Sequence, residues 1–499
     1  GRLAISSKTV NRYSSILDRF GFAGLIELCR FGFLPMDLAA KYGMNRLIDS
    51  RNCYEMTQRG YVIPKKGNSS NHEHIRTIEE LVSNDRGGMI ISPQTGLHEN
   101  VVVLDYDNEY ANLIVNHDLS YETVNPDKKT KKGVANKGLL PTVVEKFLQR
   151  RLYFEAISNG LDARSKEYLW CQQRIDSLKN ILVCLYGTTG SIWNRYGNVR
   201  VFEEINKLSR EILIKTKDIV QRLGCELIYA DTDSIFIKNL NGAAPTDQYE
   251  KIASILRSET GLPISVEHNF KFLVLLPLEA AEKIETLKQY YGKTHDGDLV
   301  VRGVEIRRHD TPKFIKEFQT ELLSALYDCG NVEEITNKGY ENALLLVTKA
   351  IDKIMIGGED ITQDDLIIHK LLGQDIRKYR SLFPHVSAAI QSSNNEDKLP
   401  SKGDTIKYIY TDSQHNNPLC RVASIDSTSG IDGKLDYDKE KYKEMLLDAT
   451  ETVLGYFGFD RNVYGNKKNS GPRKWRWLQE LRQERENFIR TERFCRRQL

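Results

Sequence analysis

The segment Glu226-Leu-Ile-Tyr-Ala-Asp-Thr-Asp-Ser-Ile-Phe-Ile constrains the fold more than any other stretch of the chain. Two apolar runs meet at a polar Asp-Thr-Asp, which reads as strand, tight turn, strand. Carboxylates at i and i+2 on a strand point to one face, so Asp231 and Asp233 present their oxygens together. A second run, Val101-Val102-Val103-Leu104, reads as a buried strand that ends at Asp105. If the three aspartates converge, the oxygen-rich cluster suits a pair of Mg²⁺ ions, which clamp the attacking and leaving oxygens of an in-line phosphoryl transfer. The plainer alternative is that each Asp is a turn or strand-edge residue.

Around these strands the pattern is largely helical. Residues 1–87 carry apolar positions at helical spacing, at Ile16, Phe20, Leu25 and Leu28, and the pattern changes at Gly87-Gly88. Thr142 to about Leu185 is periodic with few breakers, and its length predicts two helices packed as a hairpin. Ile205 to Leu223 reads as an amphipathic helix. Beyond about Val304 helices dominate, interrupted by a polar linker at Ser392–Lys402 and a small β segment at Asp404–Ile425. The class is α+β. Arg151 and Lys179 fall on the two limbs of the hairpin, where paired cations can grip a triphosphate; a solvated helix surface is the plainer reading of either.

Composition narrows the function classes. A chain of 499 residues exceeds a single small module and suggests about three domains. The net charge of +3 neither demands nor excludes a polyanionic partner, so its distribution decides. The last 33 residues hold eleven Lys and Arg against four Glu, with Trp475 and Trp477 interleaved. That mixture suits nucleic-acid contact, a solvated helix or a docking segment. The eight cysteines form no Cys-x-x-Cys pair, which argues against a zinc ribbon or a disulfide scaffold and fits a reducing compartment. No apolar run approaches the roughly 18–20 residues of a membrane span, and no signal peptide opens the chain, so an intracellular protein with no membrane partner is expected.

Taken together and in order, three segments amount to a resemblance. Leu104-Asp105-Tyr106-Asp107-Asn108-Glu109-Tyr110, then Lys179-Asn-Ile-Leu-Val-Cys-Leu-Tyr186-Gly187, then Tyr229-Ala-Asp231-Thr-Asp233-Ser234 are similar to motifs A, B and C of the family B (alpha-like) DNA polymerases, the archaeal ones in particular. Gly138-Leu-Leu-Pro141 resembles the start of that family's fingers. Lys288, Tyr290-Tyr-Gly292 and Arg302-Gly303-Val304-Glu305 resemble its primer-gripping region, and Pro384-His385-Val386 its thumb. The likeness covers most of residues 1–466.

The resemblance implies a right-hand architecture: a β-sheet palm at 88–140 and 188–303, helical-hairpin fingers at 141–187, and a mainly helical thumb at 304–466. A region that precedes the palm occupies 1–87 and a basic tail 467–499. It assigns Asp105 and Asp233 to two Mg²⁺ ions, with Asp231 a supporting acid. Tyr110 matches the aromatic gate against a ribose 2′-hydroxyl, although core packing also explains a Tyr after a strand. Backbone amides of Asp107, Asn108 and Glu109 would bind triphosphate oxygens. Arg151, counted from Pro141, matches a γ-phosphate ligand, and Lys179 a catalytic acid for the leaving pyrophosphate. Tyr186 and Gly187 would pack on the nascent base pair, and Lys288 and Tyr290 on the primer duplex.

The sequence departs from the family pattern at several of these places. Val183-Cys184 stand where motif B carries Asn-Ser, Glu155 where the fingers carry a lysine, Asn108-Glu109 for Ser-Leu, Ala111 for Pro, and Asp85 for the Tyr of the linking motif. The metal site is whole, and the changes bear on nucleotide binding. Residues 1–87 resemble only the stretch between the family's proofreading domain and its palm, and the chain begins with Gly, so a downstream piece of a longer protein is expected. The implied partners are primer–template DNA and dNTPs, with a sliding clamp or a separate exonuclease subunit, in a nucleoid-associated cytoplasmic setting if archaeal. Two other readings compete: a catalytically weakened relative that binds primer–template as a scaffold, and a metal-dependent nuclease, which explains the acids but not Tyr110 or motif B.

Overall fold

The computed structural model describes residues 7–63, 65, 87–124, 137–191, 194–239, 246–277, 285–357, 361–392, 400–425 and 437–464. Asp85, the basic loop at Lys128–Lys132, most of the linker at Ser392–Lys402 and the tail at 467–499 lie outside them. Among the described residues no helix is long and apolar enough to cross a membrane. The chain divides into two compact units, one formed by residues 1–91, 104–240 and 245–267, the other by 92–103, 241–244 and 268–499.

The first unit begins with α1 (Ser7–Gly32), α2 (Met36–Lys41) and α3 (Met44–Gln58). Strand β1 (Ile90–Ile91) and the end of β2 (Gly96–Tyr106) follow, then α4 (Glu109–Asn116), α5 (Leu139–Ser158), α6 (Lys166–Thr189) and α7 (Val199–Arg222). Strands β3 (Cys225–Asp231) and β4 (Ser234–Asn239), helix α8 (Thr246–Thr260) and the start of β5 (Ile264–Pro277) complete it. The predicted hairpin is α5 and α6, with Ser165 capping α6 by accepting the Tyr168 amide at 3.0 Å. Strand order in this unit is β1-β3-β4, both pairs antiparallel. Val101 to Leu104 are all buried, which explains an uninterrupted apolar run with no alternation.

One core joins the helices of this unit, from Leu25, Leu28 and Phe31 of α1 through Val143 and Phe147 of α5 to Leu178 and Ile181 of α6 and Ile205 of α7. Within that core sits a charge. Glu27 of α1 has no exposed side-chain surface and takes two bonds from Arg150 of α5, at 2.5 and 2.9 Å, and another from Arg174 of α6. Close packing completes the joint: Ser177 Oγ donates to the Gly24 carbonyl at 3.0 Å, and a Cβ on Gly24 would stand 2.8 Å from the Gln173 carbonyl.

The second unit holds strand order β2-β5-β6-β7, where β6 is Glu285–Thr294 and β7 Leu299–Arg302, all pairs from β5 to β7 being antiparallel. Its core gathers α9 (Lys313–Leu326), α10 (Tyr340–Ile356) and α12 (Lys439–Leu454) around Phe272, Tyr291, Leu322, Val347 and Leu446. The helix between them, α11 (Pro384–Gln391), packs on a small sheet of β8 (Ile368–Leu371), β9 (Thr405–Tyr410) and β10 (Val422–Ser424), in the order β10-β9-β8. Thr405–Tyr410 and Val422–Ser424 lie in the expected β segment, and Ile368–Leu371 adds a strand that the sequence pattern does not reveal. That strand has four residues, too few for a period to register.

Glu27→Gln is expected to destabilise the first unit by roughly 2 kcal/mol, because it leaves two half-buried arginines short of their acceptor. Lys207→Gln, which breaks an exposed pair with Glu204, should change stability by less than about 0.5 kcal/mol. Thermal unfolding with hydrogen exchange on α5 and α6 separates the two; equal effects would show that the Glu27 cluster carries no special weight.

Candidate active site

Asp105 occupies the penultimate position of β2, and the next amide fixes its surroundings: Tyr106 N–H donates to the Asp233 carbonyl at 2.9 Å. Asp233 is not on a strand with Asp231. Asp231 closes β3, Ser234 opens β4, and Thr232-Asp233 form the turn, so the i, i+2 argument is corrected here. Asp233 N–H donates to the Asp231 carbonyl at 2.7 Å across Thr232, whose φ is 58°, a γ-turn. A β-branched residue with positive φ is strained, and such strain clusters at functional sites. The Thr232 amide is held by the Met89 carbonyl at 2.9 Å. Gly88 lets that segment pass: a Cβ there would lie 2.8 Å from Thr232 Oγ1 and 3.3 Å from the Tyr110 hydroxyl.

Negative charge accumulates at this point. Burial, then the charges of Asp233, Glu267 and Asp107, push the Asp105 carboxyl up to about 8, against the pull of Lys179. Glu109, at the first turn of α4 and 3% exposed, is also pushed up to about 8, by burial and then Asp233, while a hydrogen bond from Ser209 Oγ at 3.1 Å works the other way. Asp107 Oδ1 accepts from Ser265 Oγ at 3.3 Å, and its amide donates to the Pro263 carbonyl at 3.0 Å. The Asp107 amide is therefore committed to the fold. The first turn of α4 begins at Asn108, whose left-handed backbone (φ 52°, ψ 44°) precedes a helix end with no side-chain cap.

Cations and rings line the adjoining helices. Arg151 of α5 donates through Nη1 to Asn108 Oδ1, and its Nε lies 2.8 Å from Glu155 Oε1. On α6, Lys179, Val183 and Gly187 recur every fourth residue along one exposed face. Tyr186 stacks on Tyr110 with centroids 4.1 Å apart and an interplanar angle of 18°, and on Phe202 at 5.1 Å. Burial holds the Tyr110 phenol well above its ordinary value. Lys288 and Tyr290 belong to the second unit. Lys288 is exposed with φ 61°, while Tyr290 is largely buried, edge-on to Phe270 at 6.4 Å.

A cation fits this chemistry. Carboxylates that raise one another's proton affinity in a buried spot call for a positive charge, and oxygen donors suit hard divalent ions. Among the described residues no three His, Cys, Asp or Glu side chains are grouped closely enough to enclose a metal. Mg²⁺ is commonly held by one or two carboxylates plus substrate phosphates, and Asp105 and Asp233 are two carboxylates that act on one another here. Sequence reasoning missed Ser209, Asn206 and Glu267. The polar positions Asn206, Ser209 and Thr216 interrupt the apolar face of α7, which was the available signal, and all three are buried.

The class of protein defined by this α+β fold and its acidic turn is settled by comparison. The model of DNA polymerase family B matches residues 34–455, and the chain belongs to that family, whose members are metal-dependent enzymes. A DNA polymerase of Archaeoglobus fulgidus is 26% identical over 456 residues, 87% of this chain and 54% of its own. One of Pyrococcus glycovorans is 26% identical over 480 residues, 92% of this chain and 58% of its own. The family B DNA polymerase of Pyrobaculum calidifontis shares the fold with a TM-score of 0.57 and 22% identity, over 91% of this chain and 55% of that one. The chain thus spans about half the length of these relatives.

The carboxylate cluster sets a pH dependence. A carboxyl raised from 3.8 to about 8 on folding binds more protons folded than unfolded, so its stabilising contribution is fully present below about 3.8 and is lost progressively as pH rises to about 8. Asp105→Asn should therefore raise the Tm of metal-free protein at about pH 8.5 and do little at about pH 3.5. Calorimetry at both values checks this; an equal gain at each would place the repulsion elsewhere.

Proposed function

We propose that the chain carries out template-directed DNA synthesis, adding dNTPs to the 3′ end of a primer in replication or repair. The observation that carries the reading is the meeting of Asp105 with Asp233 and Lys179 at the strained turn of β3 and β4. Asp105 and Asp233 would hold two Mg²⁺ ions, with Asp231 in support, and the ions when bound supply Lewis-acid stabilisation of the charge that develops in phosphoryl transfer.

The chain's own groups do the rest. Free amides at the start of α4, at Asn108 and Glu109, donate to phosphate oxygens at a helix N-terminus, while the Asp107 amide remains with Pro263. Arg151 and Lys179 bind the outer phosphates, and Lys179 stands as the proton donor to the departing pyrophosphate. Tyr186 and Gly187 pack on the new base pair, and Tyr110 fills the space a 2′-hydroxyl needs. Residues 88–140 and 188–303 serve as palm, 141–187 as fingers and 304–466 as thumb. Lys288 and the polar edge of Tyr290 meet the primer duplex. A sliding clamp and a separate exonuclease subunit are the protein partners this reading admits, in a nucleoid-associated role.

A second reading, a weakened polymerase that serves as a primer–template scaffold, draws on Glu155. Its carboxylate neutralises Arg151 where a cation is needed, and exposed Val183 offers no donor to a triphosphate. Primer extension decides. Asp105→Ala and Asp233→Ala are each expected to lower dNTP addition with Mg²⁺ by at least about 100-fold while DNA binding stays within a few-fold. Parent protein that binds primer–template without extending it would establish the scaffold.

Sugar choice gives an independent check. Tyr110→Ala should raise the ratio of rNTP to dNTP incorporation by at least about tenfold, since a clash acts only against the wrong substrate. An unmoved ratio in single-nucleotide kinetics would make Tyr110 a packing residue.

A further inference from the structure

The reading of Tyr110 as a sugar gate leaves open what holds its ring in place, and the side of α7 facing it carries the answer. Phe202, Asn206 and Ser209 lie at i, i+4 and i+7, one stripe of a helix. Asn206 and Ser209 are each 1% exposed. Phe202 stacks under Tyr186, Asn206 Oδ1 accepts the Tyr186 hydroxyl at 2.7 Å, and Ser209 Oγ donates to Glu109 Oε2 at 3.1 Å. Tyr186 in turn stacks on Tyr110. The backbone of Tyr110 follows directly from Glu109. One stripe of α7 thus secures the gate twice, through the ring that Tyr110 leans on and through the residue that fixes its backbone.

Glu109 is the unexpected member. It is buried, and its Oε1 has no hydrogen-bond partner. A hydrocarbon side chain fills a buried volume of this size without the desolvation cost of a carboxyl group. What a carboxyl adds at this position is the bond to Ser209.

We infer that Glu109, anchored on Ser209, is a positioning residue that sets the sugar selectivity of Tyr110 by fixing the first turn of α4 to α7. The inference rests on the proposed gate role of Tyr110 and goes beyond it, because it assigns selectivity to two side chains that touch neither sugar nor phosphate. A gate works by volume. A ring free to shift by a fraction of an ångström admits the larger sugar while leaving the smaller one unaffected, so loosening the anchor changes discrimination more than turnover.

Single-nucleotide kinetics with rNTP and dNTP test this on the full chain. Glu109→Leu and Ser209→Ala should each raise the rNTP-to-dNTP ratio of kcat/KM by roughly three- to tenfold, the effect of one lost hydrogen bond. With Ser209→Ala, dNTP turnover should stay within about threefold of the parent. Glu109→Gln keeps an acceptor for Ser209 and should hold the ratio within about twofold, while Ser209→Ala, which leaves the Glu109 volume in place, separates the bond from space filling. Parent-like ratios in both Glu109→Leu and Ser209→Ala, beside a raised ratio in Tyr110→Ala, overturn the anchor and leave the gate standing. A parent-like ratio in Tyr110→Ala overturns the gate and the inference with it. Thermal unfolding supplies a readout that needs no turnover: the Tm losses of Glu109→Leu and Ser209→Ala should be clearly less than additive in the double variant. Full additivity rejects the contact.

Discussion

The hydrogen bond from the Tyr106 amide to the Asp233 carbonyl is the contact on which the site depends. It ties the end of β2 to the turn between β3 and β4, and so sets two acids of distant sequence against each other. Folding works against electrostatics here, since every carboxylate in the neighbourhood raises the proton affinity of Asp105. Ladder bonds, the buried run Val101 to Leu104 and the hold of Met89 on Thr232 meet that cost. A cation at the site relieves the same repulsion. The arrangement is therefore less stable than an apolar one, and more receptive to a positive charge.

The two helices that carry Arg151 and Lys179 need an equally firm base, and α1 provides it. Arg150 precedes Arg151 on α5, and Arg174 lies five residues before Lys179 on α6; both end on the carboxylate of Glu27. A buried charge held by two half-exposed guanidiniums resists sliding more than apolar contact does, because each bond has a direction. The joint fixes which faces of α5 and α6 point outward, and with them the face on which Lys179, Val183 and Gly187 recur.

Much of this was legible in the chain. The Asp-Thr-Asp between apolar strands announced a hairpin, the run before Asp105 a buried strand, and the stretch with few breakers from Thr142 a helical pair, because strong periodicity and turn chemistry are local signals. What stayed hidden was non-local. The Glu27 cluster joins residues more than a hundred positions apart, and nothing about an isolated Glu in a helix marks it as buried. Ser209 and Asn206 were visible only as polar interruptions of the α7 stripe. The placing of Asp231 and Asp233 on one strand face does not hold, since a strand period was assigned where a strained turn operates.

Glu155 shows how a local departure alters a site without dismantling it. Its carboxylate sits one helical turn beyond Arg151 and takes up the guanidinium, with Asn108 on the other side. On the proposed reading, anion binding at Arg151 is an exchange, in which phosphate oxygens replace a carboxylate and an amide already in place. The exchange favours a ligand with more charge than one carboxylate and with several acceptors for a planar fork, which describes a triphosphate better than a monophosphate. Pairing also spares Arg151 from standing desolvated and alone, and leaves the first turn of α4 and Lys179 to supply the remaining positive potential. The substitution thus trades attraction at long range for selection among bound anions.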